Sequence, residues 1–99
     1  MITKVIFRTF RDSGDVIALF PQIPSDPDGL YCESYQHVGQ HGGASSDYLS
    51  DITTLSTPEE YGVLLHELEQ IGYTDLKICA RSGKTDRIKR WDEAHKTLM

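Results

Sequence analysis

The chain has 99 residues, with 10 Lys+Arg against 15 Asp+Glu, a formal net charge of -5 and 38% apolar residues. That is the size of a single domain spanning 1–99, too apolar for wholesale disorder and too polar for a membrane protein. No run approaches the ~20 apolar residues of a bilayer crossing, the opening MITKVIFRTFR lacks a signal peptide's apolar stretch, and two cysteines make no disulfide framework, so a soluble cytoplasmic protein is expected.

Ile2 to Phe10 is rich in Ile, Val, Thr and Phe, and Val16 to Phe20 is a short apolar run; Asp12, Ser13, Gly14 and Asp15 between them favour a tight turn. A β-hairpin is predicted, with Lys4, Ile6 and Arg8 on the more wetted face of its first strand. Three prolines between Pro21 and Gly29 mark a connection, because proline lacks the amide donor a ladder needs. Leu30 to Gln36 reads as a third strand, with Tyr31, Glu33 and Tyr35 on one face and Cys32 and Ser34 on the other.

Residues 37–56 hold glycine and serine with little apolar periodicity, and read as a long loop with at most a short strand near Tyr48 to Thr53. Thr57-Pro58-Glu59-Glu60 then opens a helix: Thr57 caps it, Pro58 takes the first helical position, and Glu60 completes a capping box. Tyr61, Leu64, Leu65, Leu68 and Ile71 form its apolar stripe, and Gly72 ends it. Thr74 to Ala80 is a fourth strand and Thr85 to Leu98 a second helix, with Ile88, Trp91 and Leu98 on one side. The expected class is α+β: a small, mainly antiparallel sheet with two helices packed on it, in the order βββαβα.

Familiar chemical motifs fail on inspection. Arg81-Ser82-Gly83-Lys84-Thr85 sits where a phosphate loop would, but Ile78 stands where GxxxxGK[ST] requires glycine. His66-Glu67-Leu68-Glu69-Gln70 has glutamine in place of the second zinc-binding histidine of HExxH. Cys32 and Cys79 are far apart and read as small core hydrophobes. The segment Tyr35 to Ala44 concentrates His37, Gln40 and His41 among glycines that permit close backbone approach. The histidines can hold the loop by hydrogen bonding, meet a partner, or act as an acid/base pair. A metal site needs three or four ligands and only Asp47 is in reach, so no metal and no cofactor is expected.

Charge is segregated along the chain. Residues 1–11 carry +3, residues 12–76 carry twelve acids and no Lys or Arg, and residues 77–99 carry +4. Either the cationic ends fold back on the acidic middle, or the middle is a face for a basic partner, steering its association. Glu59 and Glu60 are engaged at a helix N-terminus, which leaves Asp26, Asp28, Asp47 and Asp51, in loops, as the acids for a partner. In the C-terminal segment, Lys84, Arg87 and Arg90 can share a helix face that meets phosphates, although a solvated face is the commoner outcome.

The order strand, turn, strand ending in Phe20-Pro21-Gln22-Ile23-Pro24, strand, Thr57-Pro58-Glu59-Glu60 helix and final strand resembles the HicB-type antitoxin domain, over residues 2–80. Two short motifs carry the likeness, the family's F-P-x-x-P-G and T-x-E-E-A. Here Ser25 stands for the glycine and Tyr61 for the alanine, and the connection between the motifs is longer. The resemblance implies an acidic protein covering a small basic RNA-binding toxin, and the chain also has the look of small proteins of phages and mobile elements. The reading carried forward is a non-enzymatic binding or regulatory module for a protein with a basic surface, free to self-associate. The alternative is a small hydrolase using His37 and His41, with Gln40 or Asp47 in support.

Overall fold

A computed structural model describes residues 2–36, 40–44, 49 and 51–96. The β-branched and aromatic residues of TKVIFRTF form strand β1 (Thr3–Phe10), which turns back at 11–15 into β2 (Val16–Pro24). The two pair antiparallel, Ile6 opposite Leu19 and Thr9 opposite Val16, and the Phe10 amide donates to the Asp15 carbonyl at 2.8 Å. β2 runs on through Pro21 to Pro24, where the sequence predicts connection. The prolines leave their mark in the ladder instead: pairing with β3 (Cys32–Gln36) shifts register between Phe20 and Pro24.

β3 begins two residues later than its sequence suggests, because the Leu30 and Tyr31 amides are taken by the Asp26 carboxylate. It continues into a strand that sequence reasoning reads as loop, β4 (Gln40–Ala44), with His41 opposite Tyr35 and Gly43 opposite Glu33. QHGGA has no β-forming side chains, so its strand is made by pairing and not by propensity. A short β5 (Thr53–Leu55) pairs antiparallel with the far end of β1. The helix α1 (Pro58–Gln70) follows, then β6 (Leu76–Ile78), and finally α2 (Lys84–Lys96).

The result is α+β, as expected, but among the described residues the strands and the two long helices run in the order βββββαβα, with Asp51 and Ile52 helical just before β5. Strands lie β4-β3-β2-β1-β5, with β6 also on β1. Among the described residues the pairings are antiparallel except β6 on β1, which is parallel, Thr3 opposite Leu76 and Val5 opposite Ile78. β5 and β6 therefore share one edge of β1 end to end.

Alternation along the strands gives the sheet two buried faces. Val5, Phe7, Ala18, Phe20 and Tyr35 meet Leu64 and Leu68 of α1, with Tyr61 stacked on Phe7 (centroids 4.6 Å apart) and Tyr73 on Phe20 (5.1 Å). Leu65, placed by its spacing in the buried stripe, sits at the margin of this core. The opposite face gathers Ile6, Ile17, Leu19, Cys32, Ala44 and Leu49. The strand face carrying Lys4, Ile6 and Arg8 is thus covered, where the sequence suggests wetting, and Arg8 is held by Thr53 through its hydroxyl and its carbonyl, both at 2.9 Å.

Candidate interaction surface

The fold's second helix is docked by polar groups. Asp86, Arg90 and Ala94 are its buried residues, one turn apart on the side facing the sheet. Arg90 donates to the carbonyls of Gly29 (2.9 Å) and Pro21 (2.8 Å). Asp86 accepts from the Lys4 ammonium (2.6 Å), the Gln22 amide (2.8 Å) and the Gly83 backbone N–H (2.9 Å). Burial works to raise the Asp86 carboxyl, but the hydrogen bonds from Lys4, Gly83 and Gln22 and the Lys4 charge outweigh it and hold the group below its ordinary 3.8.

The helix and loop 25–31 fit backbone to backbone at Gly29, where φ is +73° and a Cβ would lie 3.1 Å from the Trp91 Cα and 3.2 Å from the Arg90 carbonyl oxygen. Only glycine serves there. Asp26 organises the same loop, accepting from the amides of Tyr31 (2.8 Å) and Leu30 (3.2 Å), and the Tyr31 bond above all holds its carboxyl below the usual range. A second close approach occurs on β4, where a Cβ on Gly43 would sit 2.7 Å from the Ser25 hydroxyl.

Docking by Asp86 and Arg90 turns the helix's large apolar side chains outward. Ile88 and Trp91 do share one side, as their spacing predicts, but each is 52% exposed; Leu98 lies outside the described residues. Arg90 is buried and leaves the exposed basic face, on which Lys84 and Arg87 remain. The Trp91 indole stacks on the His95 ring at 3.8 Å and 22°, with His95 Nδ1 2.8 Å from the Trp91 carbonyl oxygen.

The cationic ends do not neutralise the acidic middle through these bonds. Lys4 pairs with Asp86 and Lys96 with Glu93, acids of the C-terminal segment itself, while Arg8 and Arg90 are spent on carbonyls and a hydroxyl. The candidate acids separate into two groups. Asp51 is exposed beside the hairpin turn, where the Arg11 amide donates to the Ile52 carbonyl (3.1 Å), and the exposed Asp12 and Asp15 lie in that turn. Glu60 borders the same end, lining a groove with Val16, although its carboxylate is occupied by the Thr57 amide at 2.9 Å. Asp26 and Asp28 lie at the other end of β2, nine residues away at about 3.3 Å each. Charge counting along the chain does not distinguish these groups; the turn composition of 11–15 is the signal that marks Asp12 and Asp15.

Of the remaining sequence candidates, Gln40 and His41 are on β4, paired opposite Gln36 and Tyr35, while His37 and Asp47 lie outside the described residues. Among the described residues no three His, Cys, Asp or Glu side chains are grouped to hold a metal ion, and no helix is long and apolar enough to cross a membrane. Both cysteines are free, and burial pushes the Cys32 thiol up, away from the reactive thiolate. The groove between α2 and the β1–β2 end, about 210 Å³, is lined by Ile2, Ile23, Pro24, Lys4, Lys89 and Glu93 among others, and is mostly apolar. No family model, no curated protein and no solved structure matches the chain.

Proposed function

We propose that the protein is a non-enzymatic binding module whose acidic hairpin end meets a basic macromolecular surface. The observation that supports this reading is the disposition of charge. Asp12, Asp15 and Asp51 stand exposed together at one end of the sheet, and the ion pairs Lys4–Asp86 and Lys96–Glu93 are made elsewhere. Three acids on one pole, outnumbering the exposed Arg11 of the same turn, steer a cationic partner and are felt over about 8 Å at physiological salt. A small basic protein, the partner that the HicB resemblance implies, has the matching chemistry, in a cytoplasmic setting. Asp26, tied to the Leu30 and Tyr31 amides, serves the loop's shape, and Asp28 stands exposed in that same loop.

Binding of a lysine-rich peptide, followed by fluorescence anisotropy from low to high salt, tests the reading. The wild-type chain should lose affinity steeply as salt rises. The triple variant D12N/D15N/D51N should bind on the order of tenfold more weakly while its stability changes by less than about 0.5 kcal/mol. Equal affinity for the two chains, or a salt-independent affinity, refutes it.

A further inference from the structure

An amphipathic helix ordinarily turns its apolar stripe to the core and its charges to water. α2 does the reverse: Asp86, Arg90 and Ala94 face the sheet, while Ile88 and Trp91 face solvent. The outward side is also basic, because Lys84 lies three and four residues before Arg87 and Ile88, and Trp91 four and three residues after them, which places Lys84 and Arg87 beside the two apolar groups. The indole is braced in position by His95. Tryptophan and arginine on an ordered surface are the residues that dominate protein interfaces.

α2 occupies only one end of its sheet face. Lys4, which bonds Asp86, projects on the same side of β1 as Ile6, and Ile6 belongs to the cluster of Ile17, Leu19, Cys32 and Leu49, on the face opposite α1. Leu49 covers the other end of that face, and there Asp51 and the 36% exposed Ile52 reach solvent beside the 11–15 turn, whose Asp12 and Asp15 together with Asp51 outnumber its one cation, Arg11. One sheet face thus presents a basic apolar patch at one end and an acidic apolar patch at the other. A two-fold axis standing on that face between the patches brings unlike ends together twice, which closes the contact as an isologous dimer. Mating α2 to α2 would instead oppose Lys84 and Arg87 to their own copies, a like-charge arrangement that is disfavoured.

We propose that the chain dimerises through the sheet face opposite α1, with Lys84, Arg87, Ile88 and Trp91 of each copy lying over Asp51 and Ile52 of the other. This rests on the acidic-pole reading above and names a second copy of the chain as its partner.

Trp91 is the sole tryptophan, so its emission reports on this contact directly. Sedimentation of the 11.2 kDa chain should show a concentration-dependent dimer, with a blue shift of the indole emission over the same concentration range. K84E/R87E alone and D15K/D51K alone should each weaken dimerisation by about tenfold or more, and mixing the two variants should restore it, because both contacts of the mixed dimer then join unlike charges. W91A should weaken it without changing the far-UV circular dichroism. A chain that stays monomeric at all concentrations overturns the proposal, as does a dimer indifferent to both charge reversals. An indole that responds to a single-stranded oligonucleotide and not to concentration overturns it in favour of a nucleic-acid partner. Lysine-peptide binding by a monomeric chain leaves the acidic pole standing and removes only the second copy as its partner; loss of both refutes both.

Discussion

The helices α1 and α2 are each thirteen residues long and are fixed to opposite faces of one sheet by opposite means. α1 buries Leu64 and Leu68 against Val5, Phe7, Ala18 and Phe20. α2 buries a carboxylate and a guanidinium, and both find partners distant in sequence: Lys4, Pro21, Gln22 and Gly29. Apolar burial is non-directional and scales with area, so α1 is strongly held but tolerant of small shifts. Hydrogen bonds to charged groups are directional, so α2 is placed in one position and spends little apolar surface in being held there. That economy is what leaves Trp91 and Ile88 for the outside.

The comparison breaks most visibly at Leu68, which is fully buried. L68A should cost about 2–5 kcal/mol in urea denaturation, the range for removing a core leucine. On the other side, R90M keeps the bulk of the side chain but strips donors from the Gly29 and Pro21 carbonyls, at about 1–3 kcal/mol for each acceptor left buried and unpaired. Its signature should be local: amide exchange speeds up through 84–96 while α1 stays protected.

Acid should sharpen the contrast further. The Asp86 carboxyl lies below 3.8 in the folded chain, so the stability it confers is complete above that value and is lost as pH falls through the lower, folded one. Wild-type α2 should therefore loosen below about pH 4, whereas D86N, weaker at neutral pH, should show a shallower acid loss. Asp26 and Glu60, also lowered, act in the same direction in both chains, so the difference between the two isolates Asp86. The smallest effect belongs to α1's cap, where Thr57 accepts from the Glu60 amide at 3.3 Å; T57A should cost about 1 kcal/mol, read as a lowered melting temperature.

The same contrast explains what was legible in the sequence. α1 is written locally: Thr57-Pro58-Glu59-Glu60 and the Leu64–Leu68 spacing specify its start and its buried side, and the structure realises the full capping box. The β1–β2 hairpin is legible for the same reason, its turn lying between two apolar runs. α2's start is legible to within a residue, but its inward side is not. Apolar spacing points to Ile88 and Trp91, and the groups that reverse this choice, Lys4 and Gly29, are 82 and 61 residues from their partners. β4 is hidden because glycine has no strand preference to read; the close approach of Ser25 to Gly43, which leaves no room for a Cβ, is a contact that only the folded chain shows. The acids were visible as charge, but their division between the ends of β2 depends on a pairing that charge does not encode.

The shared edge of β1 bears on how the chain is assembled during synthesis. Phe7 gives its carbonyl to Ser56 at 3.0 Å, but Val5 waits for Cys79 (2.8 Å), and residues 3–5 pair with 76–78. A ribosome-borne chain that has released α1 but not β6 holds a hairpin with half of its first strand's edge still open, and open edges are templates for adding foreign strands. The sheet's last seam is its longest loop closure, the kind of contact that slows folding. Between the emergence of α1 and that of residue 79, the 3–5 half of the β1 edge is thus the part of the sheet left open to a foreign strand.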